Sequence, residues 1–344
     1  MKAVGLNRYL PITDAESLID ADLPRPRPTG RDLLIRVKAI AVNPVDIKVR
    51  APSALKANKV ESPVRVLGWD AAGIVESVGA EVTLFKPGDK AYYAGDITRP
   101  GCNSEFHLVD ERVTGPMPES LDFAQAAALP LTTITAWEAL FHRLRVPTPP
   151  HATPRKSILI IGGAGGVGSI AVQLAAKVAG LTVIASASRP ESIRWVKALG
   201  AHHVVDHFGD LAAQLKDLGF VMTDYVLILN DTDRHFDAAA AIVAPQGGIC
   251  TIVENGKPLK IESLKSKSVS FHQEFMFTRS MFQTPDLIEQ HYLLSDIARL
   301  IDLGILRTTI NETLTPINAT NLKRAHAMLE AGNAIGKIVL KEFA

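Results

Sequence analysis

Residues 158–177 read ILIIGGAGGVGSIAVQLAAK. Here Gly163, Gly165 and Gly168 fall at GxGxxG spacing, with Gly166 and Val167 between the last two. An apolar run precedes the glycines and an amphipathic helical pattern follows. At this spacing the first glycine permits a tight turn, the second admits a pyrophosphate against the backbone, and the third lets helix and strand pack closely. The helix N-terminus would add amide donors and a positive dipole end. The plainer reading is a glycine turn with no ligand; the flanking strand and helix favour the dinucleotide reading.

The choice of dinucleotide is read about 20 residues further on, at the end of TVIASASRPES. A carboxylate there holds the ribose hydroxyls of NAD. This chain has Ser186, Ala187, Ser188 and Arg189 instead. Ser188 can donate to a 2′-phosphate and Arg189 can pair with it, so the expected cofactor is NADPH. As the bland alternative, Arg189 is a solvated residue at a helix start.

Two other groups invite chemistry. Asp70 lies in VLGWDAAG at the edge of an apolar stretch, as either a catalytic or metal-binding carboxylate or an acid that satisfies backbone. His202, His203 and His207, in LGAHHVVDH, could share a metal if they lay on a helix. They fall on an expected strand with no Cys or Glu beside them, so strand-end histidines are expected. No Ser-His-Asp arrangement argues for a hydrolase.

The elements that must carry these residues change character along the chain. DLLIRVKAIAV, AAGIVESVGA and DKAYYAGD read as short strands between Gly and Pro turns. Two proline-rich pieces, LPRPRPTGRD and VPTPPHATPRK, read as surface connections. In SLDFAQAAALP, Ser120 offers a helix cap. From Ser157 on, apolar strands alternate with helices. These strands are SILIIGG, LTVIASAS, HHVVDH, DYVLILN and GGICTIVE, and one helix starts at Pro190 and stops at Gly200. That alternation predicts a parallel sheet covered on both faces. The C-terminal stretch returns to strand, helix, strand.

Composition sets the outer bounds. With 344 residues the chain exceeds one ordinary core, and 47% hydrophobic against 21% charged residues is ordinary for a globular protein. A net charge of +1 without a basic face disfavours nucleic acid as a partner. The two cysteines, Cys102 and Cys250, give no disulfide framework. Lys177 is the only charge from Ser157 to Ser188, but the glycines break any membrane-spanning reading. The N-terminus lacks signal-peptide features, so a cytoplasmic protein is expected.

With VLGWDAAGIVESVGAEVTLFKPGDKAYY and GGAGGVGSIAVQLAAK in their places, the whole chain resembles the medium-chain dehydrogenase/reductase superfamily. It looks most like the zinc-free quinone oxidoreductases, in the branch labelled zinc-type alcohol dehydrogenase-like. The resemblance implies an α/β fold. A GroES-like β-rich catalytic domain would span residues 1–127 and 277–344, and a Rossmann doubly wound domain residues 128–276. Zinc members carry a catalytic Cys, a GHE triplet and a third thiolate. Here those positions are Asn43, Gly68-Trp69-Asp70 and about Leu131, and the structural-zinc cysteines are missing, so no metal is expected. Asp70 would then support backbone and shape the active-site wall.

The resemblance further implies hydride transfer from NADPH to a quinone or an α,β-unsaturated carbonyl. NPVDIKVR and AYYAGD should line the cleft. Asn43 and Thr135 resemble contacts to the nicotinamide end. Lys48 would stabilise developing negative charge or touch cofactor phosphates, unless it is a surface lysine. Tyr93 would donate to substrate oxygen, unless it is packing. Some relatives carry a tyrosine at position 48, so a tyrosine proton relay does not transfer, and water is the default proton source. Asp46 should order its loop, and Asn230 should lie near the adenosine ribose. VSFHQEFMFTRS would form the last Rossmann strand, whose edge pairs subunits in many relatives, so a homodimer is expected. The alternatives are a zinc-dependent alcohol dehydrogenase and a low-turnover NADPH-binding protein with a regulatory role.

Overall fold

A computed structural model describes residues 1–56, 59–147 and 155–343. Most of the second proline-rich piece therefore lies outside the described residues. The chain forms two compact units, Met1–Leu131 with Phe277–Ala344, and Thr132–Met276.

The second unit is built on six parallel strands: Ser157–Ile161, Thr182–Ser186, His203–Val205, Thr223–Ile228, Val243–Thr251 and Ser270–Gln273. Their order across the sheet is third, second, first, fourth, fifth, sixth. This is the doubly wound arrangement, and the order reverses between the first and fourth strands. Ser157–Ile161 is buried along its whole length, as a central strand covered on both faces must be. Leu159, Val226, Phe236 and Ile249 belong to one continuous core. The helix Pro190–Leu199 starts with proline in its first turn and ends at Gly200 in the left-handed region, φ 119°; both signals were legible in the sequence.

The first unit is mainly antiparallel. A three-stranded sheet joins Ile19–Asp22, Lys2–Arg8 and Val60–Val66. A seven-stranded sheet runs Ile310–Leu314, Lys337–Lys341, Asp32–Ala41, Ala71–Val78, Lys90–Tyr93, Thr114–Pro116, with Phe106–Asp110 also on Asp32–Ala41. One helix start differs from expectation. Asp122, not Ser120, caps Phe123–Ala127 by accepting from Gln125 N. Ser120 instead donates its amide and hydroxyl to Asp302.

Candidate functional site

The glycine turn follows Ser157–Ile161, and the helix Gly166–Gln173 follows the turn. The residue in the left-handed region is Gly162, φ 86°, one position before the glycine expected to take it. Gly163 has a different constraint: an added Cβ would lie 2.9 Å from Ala185 Cβ on the neighbouring strand. At Gly168 the added atom would sit 2.3 Å from Gly162 O and 2.7 Å from Gly163 Cα, so the third glycine does allow helix and turn to touch. At Gly165 it meets only Gly162 O, at 3.6 Å. The fold alone does not require that glycine.

Ser186, not singled out as a site residue from sequence, ties this corner together. Its hydroxyl accepts from Gly162 N at 2.9 Å and its carbonyl from Gly163 N at 3.2 Å. Ser188 and Arg189 follow directly, both half-buried, and Arg189 Nε lies 3.4 Å from Glu191 Oε1. Asn230 flanks the turn, its Oδ1 3.5 Å from where a Gly162 Cβ would stand. Gly162 to Gly168, Ser186, Ser188, Arg189 and Asn230 thus converge at the C-terminal ends of the central strands, where doubly wound sheets bind ligands. These contrasts carry a test. Gly165→Ala is expected to melt like the parent yet bind a nicotinamide dinucleotide at least tenfold more weakly, because its cost falls on the ligand. Gly168→Ala is expected to lose about 1–3 kcal/mol of stability, because backbone must move. Thermal melts and titrations with NADH and NADPH on both proteins check this.

In the first unit Asp70 lies at the heart of a buried polar centre. It is fully buried. Its Oδ1 accepts from Leu131 N at 2.7 Å, and its Oδ2 accepts from Asn43 Nδ2 at 2.9 Å and from Lys337 Nζ at 2.8 Å. Lys337 Nζ also donates to Val42 O at 3.0 Å and to Asn43 Oδ1. Register explains the meeting. Val339 pairs with Ala41, so the same antiparallel ladder continued outward brings Lys337 to Asn43. Ile40 pairs with Ala71, which sets Asp70 beside Ala41. Asn43 precedes the helix Pro44–Arg50, with proline in its first turn. Asp46 Oδ2 accepts from Asn43 N at 2.6 Å, so Asp46 does order this loop.

Burial pushes the Asp46 carboxyl up to about 7, against the pull of the Asn43 amide and Lys337. Burial also raises Asp70, while Lys337 pulls it down. Sequence reasoning missed Lys337. The available signal was a lysine opening the strand KIVL, which is buried at every position.

Zinc does not suit this donor set. Position 43 offers a carboxamide already bonded to Asp70 and Lys337. Trp69 directs its indole N–H to Asp96 O and packs in a T-shaped pair with Phe277. Leu131 has no donor side chain, and an ammonium lies among the oxygens. Among the described residues no group of three or more His, Cys, Asp or Glu is placed to hold a metal. His202 Nδ1 accepts from Val183 N, a structural task.

Three further expected site residues lie on two helices and a strand. Lys48 is exposed on the helix Pro44–Arg50. Thr135 is buried on Pro130–Trp137. Tyr93 is 1% exposed and stacks on His107, with its hydroxyl 3.1 Å from Nδ1. Donation from Tyr93 to a substrate must compete with that contact.

A two-unit architecture with a doubly wound nucleotide-binding sheet and an antiparallel unit carrying a polar centre defines a class of nicotinamide-dependent oxidoreductases. Family models described as zinc-binding dehydrogenase and as alcohol dehydrogenase GroES-like domain match residues 199–340 and 29–119. A zinc-type alcohol dehydrogenase-like protein of Staphylococcus aureus is 39% identical over 340 residues, 99% of each chain. The NADPH-dependent alkenal/one oxidoreductase of Arabidopsis thaliana is 33% identical over 69% of this chain and 64% of its own. A solved structure from Rhizobium etli CFN 42, provisionally described as a zinc-dependent alcohol dehydrogenase, superposes with a TM-score of 0.93. It is 55% identical over 100% of this chain and 98% of that one. The fold is shared with Escherichia coli quinone oxidoreductase complexed with NADPH, at TM-score 0.81 and 22% identity over 99% and 100% of the two chains. This chain belongs to the medium-chain dehydrogenase/reductase superfamily.

Proposed function

We propose that the protein is a zinc-independent, NADPH-dependent reductase of quinones or α,β-unsaturated carbonyls. The observation that carries this reading is the ammonium of Lys337, bonded to Asp70 and to Asn43, the residue that stands where the resemblance places a zinc-ligating cysteine. An alcohol needs help to lose its proton before hydride leaves, whereas quinones and conjugated carbonyls are already electron-poor acceptors. A centre with no room for a Lewis acid suits the second class. The alkenal/one oxidoreductase relative supports the same direction by its name.

In this reading the nicotinamide supplies the hydride when bound. The turn at Gly163, Gly165, Gly166, Val167 and Gly168 holds the pyrophosphate, Asn230 borders the ribose, and Ser188 with Arg189 takes the 2′-phosphate. Asn43 and Thr135 face the nicotinamide end, Lys48 meets developing negative charge, and water supplies the proton. The reading includes a cytoplasmic homodimer joined at the open Ser270–Gln273 edge. Among the described residues no helix is long and apolar enough to cross a membrane. Light scattering on the purified protein tests the dimer.

The primary experiment follows NADPH and NADH oxidation by chelator-treated protein with a quinone and a short enone. Turnover with NADPH that ignores added zinc upholds the reading; activity only after zinc is restored refutes it. Arg189→Ala is expected to raise KM for NADPH about tenfold or more while leaving KM for NADH unchanged, since one charge-assisted contact is lost. Equal effects on both cofactors would remove Arg189 from the phosphate site.

A further inference from the structure

The buried centre of the first unit contains more organisation than the placement of backbone requires. Lys337 is 3% exposed, yet its ammonium reaches a carboxylate, a carboxamide oxygen and a main-chain carbonyl on two different segments of chain. An ammonium is a compact charge with three donors and no acceptor. Three oxygens around it satisfy all three donors. The same contacts fix which way the Asn43 carboxamide faces: Oδ1 is held by Lys337 and Nδ2 by Asp70 Oδ2. Neither end can flip without losing a bond. Metal centres fix their donors in the same way, through a central cation and a surrounding shell of hydrogen bonds.

We propose that Lys337 is a positioning residue, a built-in cation that orients Asn43 and Asp70 as a metal ion would, and that it acts on the cofactor through Asn43. The proposal rests on the reading of Asn43 as a nicotinamide-end contact. The Lys337 ammonium is taken up by Val42, Asn43 and Asp70. Its removal therefore loosens Asn43, and its effect appears at the cofactor while the fold can be kept by removing the opposite charge as well. The bland alternative is that Lys337 only neutralises Asp70.

The experiment compares the parent protein with Lys337→Met/Asp70→Asn, in which the charge pair is deleted at nearly constant volume, and with Lys337→Arg. The arginine keeps the charge but cannot set a planar fork on three oxygens arranged for an ammonium. NADPH affinity is read by fluorescence titration, kcat and KM with a quinone acceptor, and zinc content after incubation with zinc and gel filtration. Expected are a roughly tenfold weaker NADPH complex in both variants and kcat/KM lower by about 10–100-fold, the range seen when supports of a metal centre are removed. Parent-like affinity and turnover in either variant would overturn the proposal and leave Lys337 as a counter-charge. One equivalent of zinc retained by the parent protein would overturn it too. Should the double variant fail to fold, Lys337→Arg decides alone. Should the parent turn over no acceptor, the reductase reading fails, while the NADPH affinities still decide the role of Lys337.

Discussion

Asp70→Ala is expected to destabilise the protein by about 3–5 kcal/mol, the cost of leaving a buried ion without its partner. Asp70 and Lys337 are 0% and 3% exposed at their side chains, so water cannot take over the missing contact. The substitution also strips an acceptor from Leu131 N and from Asn43 Nδ2. Each buried donor left bare adds its own desolvation penalty. The Lys337→Met/Asp70→Asn pair should recover most of the loss, because two charges removed together leave nothing uncompensated. Equilibrium unfolding in urea measures both. A loss under 1 kcal/mol for Asp70→Ala would show that the centre relaxes or admits water.

Stability is expected to fall as pH rises from about 6 to about 8 and to level off above that, with Asp46 and Glu274 as the responsible groups. Burial raises Asp46 to about 7. Burial, and the Glu138 carboxyl beside it, raise Glu274 to about 8, against the pull of Arg143, whose Nε lies 2.7 Å from Glu274 Oε2. Both carboxyls therefore bind protons more tightly in the folded chain than in the unfolded one. Their contribution is full below the ordinary carboxyl range, is lost progressively as pH climbs from there, and is gone above about 7 to 8. At 1.36 kcal/mol per pH unit, the span from 3.8 to about 7 caps the Asp46 contribution at about 4 kcal/mol.

Acid acts through other groups. Burial lowers His107 to about 4 and His326 to about 3, so their contribution is present above the ordinary histidine range and fades as pH falls through those values. Between the ordinary carboxyl and histidine ranges the two effects offset one another, so maximum stability should lie near pH 5 to 6. Asp46→Asn imitates the protonated acid and should flatten the alkaline limb, as should Glu274→Gln. Melting curves of the three proteins at pH 6, 7, 8 and 9 settle it. If both variants track the parent at every pH, the two carboxyls are not the source.

The doubly wound sheet was legible because its signals are local. Apolar strands of the right length, a proline at a helix start and a glycine at its stop act through neighbouring backbone, which any short window of sequence contains. The glycine turn was legible for the same reason, although which glycine turns left-handed was not. Gly162 takes the positive φ, whereas Gly163 is constrained by Ala185 on the next strand, a neighbour that no short window of sequence contains. Ser120 was the cap expected from the sequence. Asp302, 182 residues from Ser120, engaged the serine and left the helix to the aspartate.

The polar centre lies at the other extreme. Asn43, Asp70 and Lys337 are separated by 27 and 267 residues, and no periodicity links them. By itself the sequence determined that the metal-ligand types are absent from positions 43, 69 and 131, since residue identity alone decides ligation chemistry. Only the tertiary structure decided what replaces them. The registers of two antiparallel strand pairs carry Lys337 and Asp70 to the same end of Asp32–Ala41. Register is set by which faces the whole sheet buries.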